Sequence, residues 1–203
     1  PQNLLILLSE YFDSMQKIIG AKDSRGTLLE FIGDALLVVW NAPQDVPYHA
    51  SICVEASIKM HEFLHDAEER WTEQKYPLVK IRIGINTCKV FVGNLGSPVR
   101  MKYGVLGDGV NLASRLEELN KRYNSKILLS DSTYEDAKVQ SLFTLRQLDQ
   151  VAVKGKKEGT KIYECIGRAV DTSNEEKLLC IKMQNSFHLY YDRKFSEAEI
   201  SFE

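Results

Sequence analysis

Two apolar runs of strand length, Thr27–Ile32 and residues 35–40, are joined by the pair Gly33-Asp34. A two-residue connection of that composition closes a tight β-hairpin, so this stretch predicts an antiparallel ribbon with Asp34 at its tip. The rest of the chain has to fold around it. Upstream, residues 4–19 carry apolar side chains at helical spacing, with Gly20 as the stop. Downstream, Pro47 opens a predicted helix over 47–71, with Ala50, Cys53, Val54, Ser57, Met60, Leu64 and Ala67 on one stripe. Residues 78–85 alternate as a strand, and 90–92 continue it. Gly93, Gly96, Gly104, Gly107 and Gly109 crowd one stretch and predict tight turns around a short strand over 101–106. Asp108 is a fair N-cap for a helix to Arg122. Strands over 126–130, 143–148 and 160–166, with a short helix from Ser132, complete an α+β sandwich built on an antiparallel-rich sheet.

Composition narrows the class further. With 26 basic and 28 acidic side chains and 44% hydrophobic content, the 203 residues match a globular protein and not a disordered or nucleic-acid-binding basic one. The longest apolar run, 35–40, is far below the roughly 18–20 residues a membrane helix needs. Cys53, Cys88, Cys165 and Cys180 form no CxxC pair, which predicts a reduced, cytoplasmic protein. The chain opens without Met and stops inside a helical pattern, so it reads as a piece of something longer. Residues 1–168 form the predicted main domain, and 169–203 a helical extension. Leu189, Tyr190, Phe195, Ala198 and Phe202 fit the end of one helix and the start of another, which resembles a tetratricopeptide-type pair. A single C-terminal amphipathic helix fits the same pattern.

Several constellations could carry chemistry. His61-Glu62-Phe63-Leu64-His65 satisfies HExxH, but a catalytic zinc needs a third protein ligand and no His follows before His188. It is expected to be a chance match on a solvated helix face. Leu28, Glu30 and Ile32 alternate in one strand and are expected to share a face, which sets a carboxylate between two large aliphatics and aims it at a pocket or an interface. Asp34 fits a turn, and equally fits a hard divalent cation. Asn111 and Arg115 are four apart on one helix, opposite an apolar face expected from Val110, Ala113 and Leu116. Lys154-Gly155-Lys156 is a basic turn, and Cys88 a small residue in a strand turn.

Together the blocks "LLEFIGDALLVVW", "IRIGINTCKVFVGNLGS", "MKYGVLGDGVNLASRLE", "ILLSDSTY" and "VAVKGKKEGTKIYE" resemble, in order and in register, the class III nucleotide cyclase catalytic domain. The resemblance implies a ferredoxin-like α/β sandwich working as a homodimer with shared active sites, and a nucleoside triphosphate closed to its 3′,5′-cyclic monophosphate with release of pyrophosphate. It implies two divalent cations, Mg2+ or Mn2+, held by two aspartates. Asp34 matches the second; the first, with its opening strand, is expected upstream of residue 1. Asn111 would orient the ribose and Arg115 would stabilise the transition state. Lys154 would meet the terminal phosphates, with Lys156 as a shifted alternative and Arg100 as a weaker phosphate contact. Glu30 matches the base-reading position, where guanylyl cyclases carry Glu and adenylyl cyclases Lys. Gly104 matches the second base position and has no side chain to vote with. The expectation is therefore GTP, with ATP as the alternative and an inactive dimerisation module as the rival from another class.

Overall fold

The computed structural model describes residues 2–152 and 159–202. Its elements run α1 (Gln2–Gly20), β1 (Thr27–Ile32), β2 (Ala35–Val39), α2 (His49–Glu73), β3 (Ile83–Ile85), β4 (Phe91–Ser97), β5 (Arg100–Leu106), α3 (Asp108–Tyr123), β6 (Ile127–Ser130), α4 (Asp131–Tyr134), α5 (Ala137–Leu142), β7 (Phe143–Val151), β8 (Thr160–Arg168), α6 (Asn174–Tyr191) and α7 (Phe195–Phe202). They divide into two compact units. One holds residues 1–81 and 89–110, the other 82–88 and 111–203.

In the first unit α1 buries Leu7, Tyr11, Met15 and Ile19, one residue per turn, as its spacing requires. The α2 stripe supplies Ala50, Val54, Ser57, Leu64 and Trp71. Trp71 Nε1 donates to Glu10 Oε2 at 3.1 Å, and Arg70 pairs with Glu10 at 2.5 Å. This clamp draws the Glu10 carboxyl below its usual value, chiefly through the Arg70 hydrogen bond. The helix begins at His49 and not at Pro47, because Tyr48 takes a left-handed conformation (φ 59°). β1 and β2 pair as the Gly33-Asp34 hairpin, with Gly33 at φ 65°.

The five glycines do not mark five turns. Gly93, Gly96 and Gly104 lie inside the β4–β5 ribbon, and the turn is Pro98-Val99, since Ser97 pairs with Arg100. Gly96 and Gly107 are the two whose backbone favours glycine, at φ 131° and 158°; a Cβ at Gly96 would stand 2.2 Å from the Arg100 carbonyl oxygen.

The second unit is a four-stranded sheet of order β3-β6-β8-β7, parallel between β3 and β6 and antiparallel elsewhere. This is the antiparallel-rich sheet expected, and among the described residues β1–β2 and β4–β5 pair as two further ribbons. The strand expected over 78–85 shrinks to Ile83–Ile85, because its partner β6 is only four residues long and alternation without a partner makes no ladder. Leu112, Leu116, Leu128 and Ile162 form the core, flanked by Leu119, Tyr123, Leu148 and Val151. Two helices follow β8. α6 opens with a capping box, Ser173 against Glu176, and α7 packs back on it through Phe187–Phe202 and Tyr190–Phe195 edge contacts.

Candidate active site

Glu30 does not stand in simple alternation with Leu28. The β1–β2 register slips between them, so Leu29 is bulged out and Glu30 pairs with Leu37. The bulge re-aims the carboxylate outward, 44% exposed, where Lys102 of β5 forms an ion pair with Glu30 Oε1. Lys102 and Gly104 are two apart on β5 and share a face. Gly104 lies opposite Gly93, which leaves that part of the ribbon without side chains beside the Glu30–Lys102 pair. A Cβ added at Gly104 would come 3.0 Å from Leu95 Cδ1, the mobile end of a flexible side chain.

Asp34 is exposed at the hairpin tip. The hairpin is braced by α1, whose Phe12 ring meets Phe31 edge-on at 4.9 Å. Tyr11 of α1 is buried, and its phenol is pushed up first by burial and then by the negative charge of Asp34. Among the described residues no group of three or more His, Cys, Asp or Glu gathers as a metal cage. A lone hard carboxylate nevertheless fits Mg2+, which is commonly held by one or two carboxylates together with substrate phosphates. Asp34 is therefore a fitting ligand for such an ion.

Asn111 and Arg115 are exposed one turn apart on α3, as their spacing requires. The buried stripe opposite them is Leu112, Leu116 and Asn120; Val110 and Ala113 are only half-buried. Asn120 explains the shift. Its amide donates to Ile83 O and Leu116 O at 3.0 Å each, and its Oδ1 accepts from Ser125 at 2.9 Å. This pins α3 to β3. Gly84 lets them touch, because a Cβ there would lie 2.1 Å from Ala113 O and 2.4 Å from the Glu117 nitrogen.

Glu30, Asp34, Arg100 and Gly104 belong to the first unit, Asn111 and Arg115 to the second. Arg100 is exposed at the start of β5, its N–H donating to Ser97 Oγ at 3.3 Å. Lys154 and Lys156 lie outside the described residues. His61 is half-buried and His65 exposed on α2. Cys88 is exposed, with the Asn86 amide 3.4 Å from its sulfur. Sequence reasoning missed Lys102, Gly84 and Asn120. Lys102 alone left a legible signal, two places from Gly104 on a strand.

Similarity to known proteins bears on this arrangement. The family model for the adenylate and guanylate cyclase catalytic domain matches residues 1–166. Adenylate cyclase 1 of Rhizobium meliloti is 34% identical over 175 residues, 85% of this chain and 26% of that protein. The chain thus spans about a quarter of that relative's length. The crystal structure of the adenylyl cyclase CyaB from P. aeruginosa is similar at a TM-score of 0.73 and 32% identity, covering 85% of this chain and 87% of the other. The guanylyl cyclase Cya2 follows at 0.70 and 31%, covering 86% and 85%.

Proposed function

The chain belongs to the adenylate and guanylate cyclase catalytic domain family and has the class III cyclase fold, and on that premise we propose that it converts GTP to 3′,5′-cyclic GMP and pyrophosphate. The observation that carries the choice of base is the Glu30–Lys102 pair beside Gly104. Guanine presents two donors, N1–H and N2–H, next to an acceptor, O6. An ionised carboxylate has about four lone-pair sites, so Glu30 can accept from the base while Lys102 holds Oε1. The Lys102 ammonium has donors left for O6, the group that Gly104 leaves without a side-chain partner. Adenine reverses this pattern at N1 and at its exocyclic group, so the carboxylate would face a lone pair. Two relatives named above are adenylate or adenylyl cyclases; adenylyl cyclase activity is the second reading, and it too has a donor in Lys102 for adenine N1.

In the catalytic step the 3′-hydroxyl oxygen attacks the α-phosphorus, its proton leaves, and the bond to the β-phosphate oxygen breaks. Divalent cations, when bound, supply positive charge to the triphosphate and to the developing alkoxide. Asp34 would hold one of them. Asn111 orients the ribose, and Arg115 sets a fixed positive charge against the charge that develops at phosphorus. Lys154 meets the terminal phosphates, with Arg100 as a further contact. The working form is a homodimer in which Asp34 and Glu30 of one protomer face Asn111, Arg115 and Lys154 of its partner. The exposed apolar side chains Phe31, Ile32, Phe91 and Met101 in the first unit support association.

The deciding measurement is kcat/KM for GTP and ATP in the full-length protein and in Glu30→Lys. GTP is expected to be preferred by the parent, and the substitution to depress GTP turnover sharply. A parent that prefers ATP, or an unchanged ratio in Glu30→Lys, overturns the assignment of Glu30.

A further inference from the structure

We propose that an aromatic groove in the second unit is a binding site for a small organic cation of the quaternary-ammonium class. The groove is open to solvent and has a volume of about 540 Å3, the size of a small organic molecule's site. Phe187, Tyr190 and Tyr191 of α6 and Phe202 of α7 supply its apolar walls, and Asp149 and Gln150 of β7 its polar end. The rings hold one another: Phe187 meets Phe202 edge-on at 5.3 Å, Tyr190 meets Tyr191 at 5.7 Å, and Phe187 lies along Tyr191 at 6.0 Å. Such a wall is ordered before any ligand arrives, so little conformational freedom is lost on binding.

Charge decides what the wall selects. Asp149 Oδ1 accepts from the Gln150 N–H at 2.7 Å, and Oδ2 accepts a short hydrogen bond from the Tyr123 hydroxyl. Both donors are neutral groups, so they fix the carboxylate without cancelling its charge. Tyr123 stays protonated through the neutral range, since burial and Asp149 together push its phenol up to about 12. A fixed carboxylate among aromatic faces attracts a cation from two directions, through its own charge and through the ring quadrupoles. It disfavours phosphates and carboxylates. Gln150 Nε2 also donates to Gly159 O at 3.0 Å, which holds the polar end of the groove. The site therefore borders the strand pair from which a phosphate contact is expected, yet shares none of the residues assigned to nucleotide chemistry.

Calorimetry on the 203-residue chain tests this with choline and its neutral isostere 3,3-dimethyl-1-butanol at matched ionic strength. Choline is expected to bind about 2- to 30-fold more tightly than the isostere. Asp149→Asn and Tyr190→Leu should each erode that advantage, with circular dichroism and Tm confirming the fold. The leucine keeps apolar bulk and removes the phenol ring with its hydroxyl. Absence of choline binding, equal affinity for the two compounds, or indifference to both substitutions in folded protein would overturn the proposal. Should both variants fail to fold, the comparison of the two compounds on the parent chain decides alone.

Discussion

Lys102 changes the meaning of Glu30. Read alone, the glutamate would offer a guanine edge an acceptor, with nothing to meet O6. With Lys102 ion-paired to it, the same face carries an acceptor and a donor side by side. Lys102→Met is therefore expected to lower GTP kcat/KM by roughly 5- to 150-fold, the cost of one buried polar contact left unmade, and to leave ATP turnover far less affected. Steady-state kinetics with both nucleotides checks this. An equal loss for both would mean that Lys102 does not discriminate between the two bases. Gly104 offers the complementary test. Leu95 Cδ1 at 3.0 Å is the nearest atom to an added Cβ and can swing aside, so Gly104→Asp is expected to fold normally. An aspartate there can accept from the adenine amino group. Combined with Glu30→Lys it should raise ATP turnover above that of either single variant.

The elements were legible where a local signal and a tertiary partner agree. Thr27–Ile32, Gly33-Asp34 and the helix after Asp108 stand where periodicity placed them, because burial on one face enforces the period. Residues 78–82 do not form a strand, since pairing is decided by β6, which no local pattern reveals. The bulge at Leu29 was equally hidden: nothing in the run of residues 27–32 marks it, and only the register against β2 shows the slip. The residues proposed to touch substrate were named from the resemblance, at Glu30, Asp34, Asn111 and Arg115. The residues that hold them, Gly84 and Asn120, were not, because a glycine that admits a helix backbone looks like any other glycine. That contact gives a sharp expectation. Gly84→Ala forces Ala113 and Glu117 away from β3, and overpacking of this kind costs about 1–3 kcal/mol, or more where backbone must move. Chemical denaturation should show that loss, and cyclase activity should fall with it as Asn111 and Arg115 shift. At the far end of α3, Tyr123 predicts an alkaline limit. Its phenol lies at about 12 in the fold against an ordinary value near 10, so the folded state keeps a proton the unfolded state loses. Its contribution is whole below about pH 10 and declines as pH rises towards 12. Tyr123→Phe should flatten, though not abolish, the fall of Tm across that window, since Tyr163 and Tyr191 are also raised. An unchanged slope would mean that Tyr123 does not titrate there.

At the scale of the whole molecule, the proposed site asks for groups from two compact units, Asp34 and Glu30 from the first, Asn111 and Arg115 from the second. If the homodimer shares its sites as proposed, each site takes the first group from one protomer and the second from its partner. Two inactive proteins can then repair one another. In a full-length heterodimer of Asp34→Ala with Arg115→Ala, one site gathers both alanines and stays silent. The other joins the Asp34 of the Arg115→Ala chain to the Arg115 of the Asp34→Ala chain, and has both groups. Random pairing of equal amounts makes about half the dimers mixed, each with one working site of two, so about a quarter of parental activity should return. Each variant alone should be nearly inactive. The measurement needs two purification tags, so that the mixed dimer is isolated and its turnover counted per dimer. Mixed dimers without activity would show that Asp34 and Arg115 serve the same protomer's site or different steps. Substantial activity in either homodimer would remove that residue from the catalytic set altogether.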